Sequence, residues 1–265
     1  MLSSLFPDQI TLGFVQAGVA GLLALAVMLV ASRRRIHVEK EVTIALVRAI
    51  VQITAVGSVL FVLLEAPVWT SAVVLLVMFT AAATTAAQRA EGIPGAFWPS
   101  FFGIALGSGI VIGLMTWAGV IEATVTSLVP VGSMVIANAM NTNALALNRF
   151  KAEILAHTGQ IEAGLALGAE PYDTVTRHVE AAAYASLIPR IDSLRALGIV
   201  WIPGLMTGMV LSGADPVYAA VYQFVVMAMI FATAGLTAII TLAFIRSRVF
   251  SPADQLLLRP GMHEG

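Results

Sequence analysis

The feature that most constrains this chain is the recurrence of apolar stretches about as long as a bilayer is thick. A helix needs roughly 20 residues to cross the hydrocarbon core. Seven stretches approach that length: Ile10–Ala31, Thr43–Leu64, Val68–Ala87, Pro99–Val120, Ala123–Leu147, Leu197–Leu211 and Val217–Ile245. The sixth is short and interrupted by Pro203-Gly204, and the seventh is long enough to tilt or emerge from the membrane. Composition agrees: 59% of the 265 residues are hydrophobic and 11% are charged. That much apolar surface needs lipid to cover it. The expectation is an all-α, multi-pass membrane protein forming one domain over residues 1–265. Met1 to Gln9 has no basic region ahead of the first apolar run, so that run reads as a retained helix, not a cleaved signal.

The basic residues set the expected orientation. Arg33, Arg34, Arg35 and Lys40 follow the first span and Arg89 the third. Arg149, Lys151, Arg177, Arg190 and Arg195 lie between the fifth and sixth, and Arg246, Arg248 and Arg259 follow the seventh. All fall on one side, while the other carries Asp8, Glu65, Glu122 and Asp215 without Lys or Arg. The positive-inside rule puts the basic side in the cytoplasm, the N-terminus outside and the C-terminus inside. Arg48 is left over, about one turn inside the second span.

Several kinds of chemistry are excluded or disfavoured. Without cysteine there is no disulfide or thiolate site. There is no GxxxxGK[ST] phosphate loop, so an energy source must come from another subunit. The four histidines, His37, His157, His178 and His263, all fall in cytoplasmic segments, and no Asp or Glu lies deep in a span. Ser108 therefore has no general base at membrane depth, and no catalytic residue is assigned. A proton-coupled carrier lacks its usual carboxylate or histidine relay. Gly103, Gly107 and Gly113 read as helix-packing positions. A net charge of −1 gives no reason to expect nucleic acid as a partner.

The polar residues inside the spans carry the functional expectations. Asn138, Asn141 and Asn148 fall within about an 80° sector of one helix, with Pro130 on the same face and Asn143 elsewhere. Such a line of amides must face protein or water. It either bonds neighbouring helices, at about 0.6 kcal/mol per contact, or lines a translocation path; both can hold together. Arg48 and Gln52 are one turn apart. Arg48 either snorkels to the headgroups or braces the polar face. The sixth span, Ile202-Pro203-Gly204-Leu205-Met206-Thr207-Gly208-Met209, has the pattern of a broken helix lining a path. Its Met206 and Met209 offer soft thioether ligands, although methionine more often simply packs. No carboxylate, His or Cys ligand set lies within the spans, so no metal site is assigned.

Asn148–Ala196 is the one large cytoplasmic segment. Gly159 to Pro171 reads as a helix and a turn, Pro171 as the first turn of the next helix, and Tyr172 to Ser186 as helix until Pro189. A helix there docks into a partner's groove or rests on lipid. Glu162-Ala163-Gly164 followed by Gly168-Ala169 resembles the start of the EAA coupling loop of ABC importer permeases, without its later Ile-x-Leu-Pro part at the usual spacing.

A broader resemblance covers roughly residues 40 to 230. Val129-Pro130-Val131-Gly132-Ser133-Met134-Val135-Ile136-Ala137-Asn138-Ala139-Met140-Asn141 and Leu145-Ala146-Leu147-Asn148-Arg149 resemble the signature of the FetB-type ABC permeases. Arg48 with Val51-Gln52, Glu162-Ala163 through Leu167-Gly168-Ala169, Leu187-Ile188-Pro189-Arg190-Ile191-Asp192-Ser193-Leu194 and Ile202-Pro203-Gly204-Leu205-Met206-Thr207-Gly208 fit it as well. The chain departs from it at Met209, where a polar residue, often Gln, is expected, and at Arg177-His178-Val179-Glu180, where a more basic stretch is expected. The resemblance implies a permease of the bacterial inner membrane, paired as two copies with two separate ATP-binding cassette subunits that hold ATP and Mg. The chain itself would then need no cofactor. Bacterial members are associated with iron export and resistance to oxidative stress. Plant relatives are linked to aluminium tolerance and nucleotide-sugar transport. In that reading Asn138, Asn141, Arg48, Gln52, Met206 and Met209 belong to the path, while Glu162, Ala163, Gly164, Gly168 and Ala169 couple it to the ATPase. The competing readings are a secondary carrier, a non-transporting scaffold or sensor, and a permease for a small organic anion.

Overall fold

The chain is helical throughout the described residues, which are 9–34, 39–64, 66–90 and 93–258 of a computed structural model. Arg35, His37, Asp8, Glu65, Arg259 and His263 lie outside them. Nine α-helices follow in order: α1 (Gln9–Arg33), α2 (Glu39–Leu64), α3 (Trp69–Ala87), α4 (Phe97–Trp117), α5 (Val125–Ala156), α6 (Thr158–Ala166), α7 (Pro171–Ala196), α8 (Gly204–Leu211) and α9 (Pro216–Ile245). Short 3-10 turns extend α3 and α9. By length and composition four stretches among the described residues can cross a membrane: Thr11–Arg33, Trp69–Ala90, Phe97–Trp117 and Pro216–Val249. α2 carries a shorter apolar run, Val42–Gly57.

The chain divides into two compact units, Met1–Ala66 and Pro67–Gly265. The first is the α1–α2 pair. Its described side chains are mostly exposed, Met28 being buried and in contact with the Thr43 hydroxyl. Arg48 and Gln52 are exposed on α2.

The second unit is a helical bundle. α4 and α9 make its most extensive contact, and small residues make it possible. Gly103 lies against Thr241 and the Thr237 carbonyl, and Gly107 against the Thr237 backbone. Gly113 has open space around it, so two of the three expected packing glycines perform that role. α5 is the central element, touching α3, α4, α7 and α9. It buries Val135, Ala139, Asn143, Ala146, Leu147 and Phe150. α9 starts at Pro216, and the Asp215 carboxylate accepts hydrogen bonds from the Val217 and Tyr218 N–H groups at 2.9 and 3.0 Å. That cap satisfies two of the first N–H groups of the helix.

Three boundaries differ from the sequence expectation, the first being that of α5, expected to end at Leu147 and running on to Ala156. The helix expected to stop at Pro189 runs on to Ala196. Proline there costs α7 one backbone hydrogen bond, and its packing along α5 and α9, with Ala182 and Ser186 buried, holds the helix through it. The sixth apolar stretch is not one helix. Leu197–Pro203 is a tight non-helical link in which the Gly198 N–H donates to the Trp201 carbonyl at 3.1 Å, and only Gly204–Leu211 is α-helical.

Candidate functional site

A cavity of about 260 Å3 lies at the break between α7 and α8. Met134 and Asn138 of α5 form one wall. Arg190 and Ser193 of α7 form a second, Pro203 and Trp201 of the link a third, and Gln223, Met227 and Ile230 of α9 the last. A break exposes backbone that an unbroken helix would satisfy internally, and inside a membrane such backbone is stable only where it meets protein or a water-filled cavity.

The polar groups of the cavity differ in how they are held. The Asn138 side-chain amide donates to the Met134 carbonyl one turn earlier at 2.8 Å. Arg190 donates from Nε to the Thr142 hydroxyl at 3.4 Å, and Thr142 in turn donates to the Asn138 carbonyl at 3.0 Å. The guanidinium is thereby tied to the same turn of α5 that carries Asn138. Gln223 is buried, and its side-chain oxygen has no hydrogen-bond partner among the described residues. The lining offers two amides, a hydroxyl, two thioethers and one permanent positive charge, without a carboxylate among the described residues.

Asn138 and the Pro203-Gly204 break, singled out in the sequence, thus meet at one place. Asn141 and Asn148 lie on the same side of α5 but are exposed away from the cavity. Asn143 is fully buried on another face, with neither amide atom partnered among the described residues. Met206 and Met209 are half-buried on α8 and do not line the cavity. Arg48 and Gln52 belong to the first unit. Sequence reasoning missed Arg190, which was counted among the loop charges, and Gln223. The available signal was the run Ile188-Pro189-Arg190-Ile191, in which a lone charge sits among apolar residues just ahead of the broken stretch.

A second surface lies at the far end of α5. α6 and the turn after it carry Glu162, Ala163, Gly168 and Ala169, all exposed, and Leu167 projects with 89% of its surface accessible. The turn is a Schellman motif: the Ala169 N–H donates to the Gly164 carbonyl and the Gly168 N–H to the Leu165 carbonyl, each at 3.0 Å. Gly168 takes φ +86°, which favours glycine. Gly164 faces α7, where an added Cβ would come within 3.1 Å of the Thr174 methyl group. The turn is therefore held in one shape with Leu167 exposed at its tip.

Comparison with known proteins places this arrangement. The model of the uncharacterised protein family UPF0014 matches residues 14–250. The UPF0014 membrane protein YjkA of Bacillus subtilis is 34% identical over 221 residues, covering 83% of this chain and 88% of that protein. The protein named probable iron export permease protein FetB in Escherichia coli is 31% identical over 239 residues, 89% and 92% of the two chains. The Arabidopsis thaliana protein ALUMINUM SENSITIVE 3 is 28% identical over 245 residues, 92% and 90% of the two. No solved structure matches the chain. The chain belongs to the UPF0014 family of membrane proteins, whose model matches most of its length.

Proposed function

We propose that this chain is a permease subunit, not an enzyme, of an ABC transporter that exports a metal ion such as iron. In this reading a separate ATP-binding subunit holds ATP and Mg and supplies the work, and two copies of each chain assemble in the bacterial inner membrane. The chain is then one permease domain of seven spans, the short and broken sixth being Leu197–Leu211 and the cytoplasmic coupling segment Asn148–Ala196 lying ahead of it. Its N-terminus is outside and its C-terminus cytoplasmic. Similarity to a probable iron export permease over most of both chains supports the metal as cargo. The observation that carries the transport reading is the cavity at the break, where Asn138, Arg190 and Gln223 converge. The exposed turn from Glu162 to Ala169 is where the ATPase docks and its closure is transmitted. Coupling of this kind requires the two states of the ATPase to contact that turn differently. On sequence grounds Asn141, Arg48, Gln52, Met206 and Met209 remain assigned to the path, and Gly164 positions the coupling turn.

One observation favours a second reading of the cargo. A bare divalent cation entering the cavity would face the Arg190 guanidinium with no carboxylate beside it. An anionic chelate of the metal, or a small organic anion, would instead pair with Arg190. The test reconstitutes the chain with the ATPase encoded beside it and measures ATP hydrolysis with ferrous ion, ferric citrate and nucleotide sugar in turn. Stimulation by one of them, lost in Asn138→Leu and Arg190→Leu, supports the permease reading and identifies the cargo class. Full transport by the isolated chain, abolished by an uncoupler and indifferent to ATP, would instead make it a secondary carrier. Copurification with a cytoplasmic partner but no cargo-dependent hydrolysis would leave the scaffold reading.

A further inference from the structure

Glu153, His157 and His178 converge at the corner where α5 gives way to α6, and none of them lines the cavity at the helix break. Glu153 and His157 are one turn apart at the end of α5, and His178 comes from the facing helix α7. The Glu153 carboxylate oxygen lies 3.5 Å from His157 Nδ1 and 3.4 Å from His178 Nδ1. One potential ligand atom from each of the three falls within 4.8 Å of the others. The two imidazole rings stack at 4.6 Å between centroids, 30° apart. They border a cavity of about 410 Å3, also lined by Asp173 and Arg177.

We propose that Glu153, His157 and His178 bind one divalent first-row transition-metal ion. Two imidazoles and one carboxylate are the donor set that suits Fe(II), Zn(II) or Co(II); Mg and Ca prefer all-oxygen surroundings. The geometry already shows the outer-shell feature of such sites. His157 Nδ1 is 2.9 Å from the Glu153 backbone carbonyl. Donation from Nδ1–H to that carbonyl leaves the Nε2 lone pair as the ligand and fixes the ring. His178 is the best shielded of the three, with 13% of its side chain accessible, whereas Glu153 and His157 are each 36% accessible and have room to rotate. Metal–ligand bonds of about 2.0–2.2 Å bring tetrahedral donors to about 3.3–3.6 Å of one another. The 3.4 Å contact between Glu153 and His178 already has that spacing, and a turn of the accessible Glu153 carboxylate brings it to His157 Nε2. The Asp173 carboxylate balances Arg177, so the cavity keeps the negative charge of Glu153 for a cation.

The site has a mechanical consequence. His157 is the joint between α5 and α6, and an ion bridging it to α7 fixes the root of α6 against α7. Occupancy by cytoplasmic metal would then stiffen the segment assigned above to ATPase coupling; this last step, unlike the binding itself, rests on the permease reading.

The experiment titrates the untagged full-length chain in detergent with Co(II) and follows its visible ligand-field absorption. The expected result is one Co(II) per chain, undisturbed by a hundred-fold excess of Mg(II). Glu153→Gln and His178→Gln should each weaken binding about ten-fold or more while the circular dichroism spectrum and elution volume stay those of the wild type. His157→Gln should do the same. A wild-type chain that takes up no Co(II), or variants that bind it with unchanged stoichiometry and affinity, would overturn the proposal. The permease reading is separable: site-specific Co(II) binding with no cargo-dependent ATPase sinks that reading alone, and cargo-dependent ATPase without Co(II) binding sinks the metal site alone.

Discussion

The first helix and the last long one have the same mean hydropathy, 2.3, and opposite surroundings. In α1 6% of the most apolar window is buried, and in α9 56%. Hydropathy therefore reports what a helix can dissolve in, not what it packs against. Between helices in lipid there is no hydrophobic driving force, because acyl chains are as apolar as leucine. What joins α9 to α4 is close approach: Gly103 and Gly107 facing Thr237 and Thr241. α1 also has glycines, at 13, 18 and 21, yet each has open space where a Cβ would stand. The same residue type packs α4 against α9 within the second unit, whereas within the first the glycines of α1 do not meet α2.

The comparison is tested most severely at these glycines. Gly107→Leu puts a side chain against the Thr237 backbone N and Cα, at 2.9 and 3.1 Å from the first added carbon, where no side-chain rotation can relieve it. A loss of about 3 kcal/mol is expected, read as a large drop in melting temperature or loss of monodisperse protein. Gly21→Leu in α1 should leave the melting temperature of the chain unchanged. Equal damage from both would mean that α1 is packed as tightly as α9.

A smaller effect is expected in the cavity at the break. Arg190→Leu should lower cargo-stimulated ATP hydrolysis about ten-fold, the loss of roughly one charge-assisted hydrogen bond. Arg195→Leu is the control, since that exposed side chain lies 3.5 Å from exposed Asp192 and such a pair contributes little. Smaller again is Gly168→Ala, which forces a Cβ into φ +86° and should cost about 1 kcal/mol. Thermal unfolding measures the cost, and a parallel loss of ATPase coupling would tie the shape of the turn to its role. The smallest is Thr237→Val. The Thr237 hydroxyl is buried without a hydrogen-bond partner among the described residues, so removing it should change stability by no more than about 0.5 kcal/mol, in the stabilising direction. A loss of stability instead would reveal an internal water or a neighbouring chain that bonds it.

Much of the fold was legible because lipid imposes a length on each crossing. The starts and ends of α1, α3, α4 and α9 lie within a few residues of the expected ones. Pro189 was misread because a local rule about proline says nothing of the packing that carries α7 past it. At the site, Asn138 and the Pro203-Gly204 break were visible as polar or helix-breaking residues in apolar runs. Arg190 was not, because a positive charge near the end of a loop satisfies the positive-inside rule wherever its side chain goes. Glu153, His157 and His178 were equally hidden: 21 positions separate His157 from His178, and nothing in that spacing says that α7 folds back along α5.

The sequence by itself determined that the chain is helical and multi-spanning, because backbone in hydrocarbon must satisfy its own hydrogen bonds. It also marked α5 and the broken stretch after α7 as the places where polar groups enter apolar surroundings. Only the tertiary structure decided which of those groups meet. It buried Asn143, left Asn141 exposed, and brought Asn138 to Arg190 and Gln223. The physical reason is that helix periodicity fixes the face on which a side chain lies, whereas the neighbour of that face is chosen by contacts between helices distant in the chain.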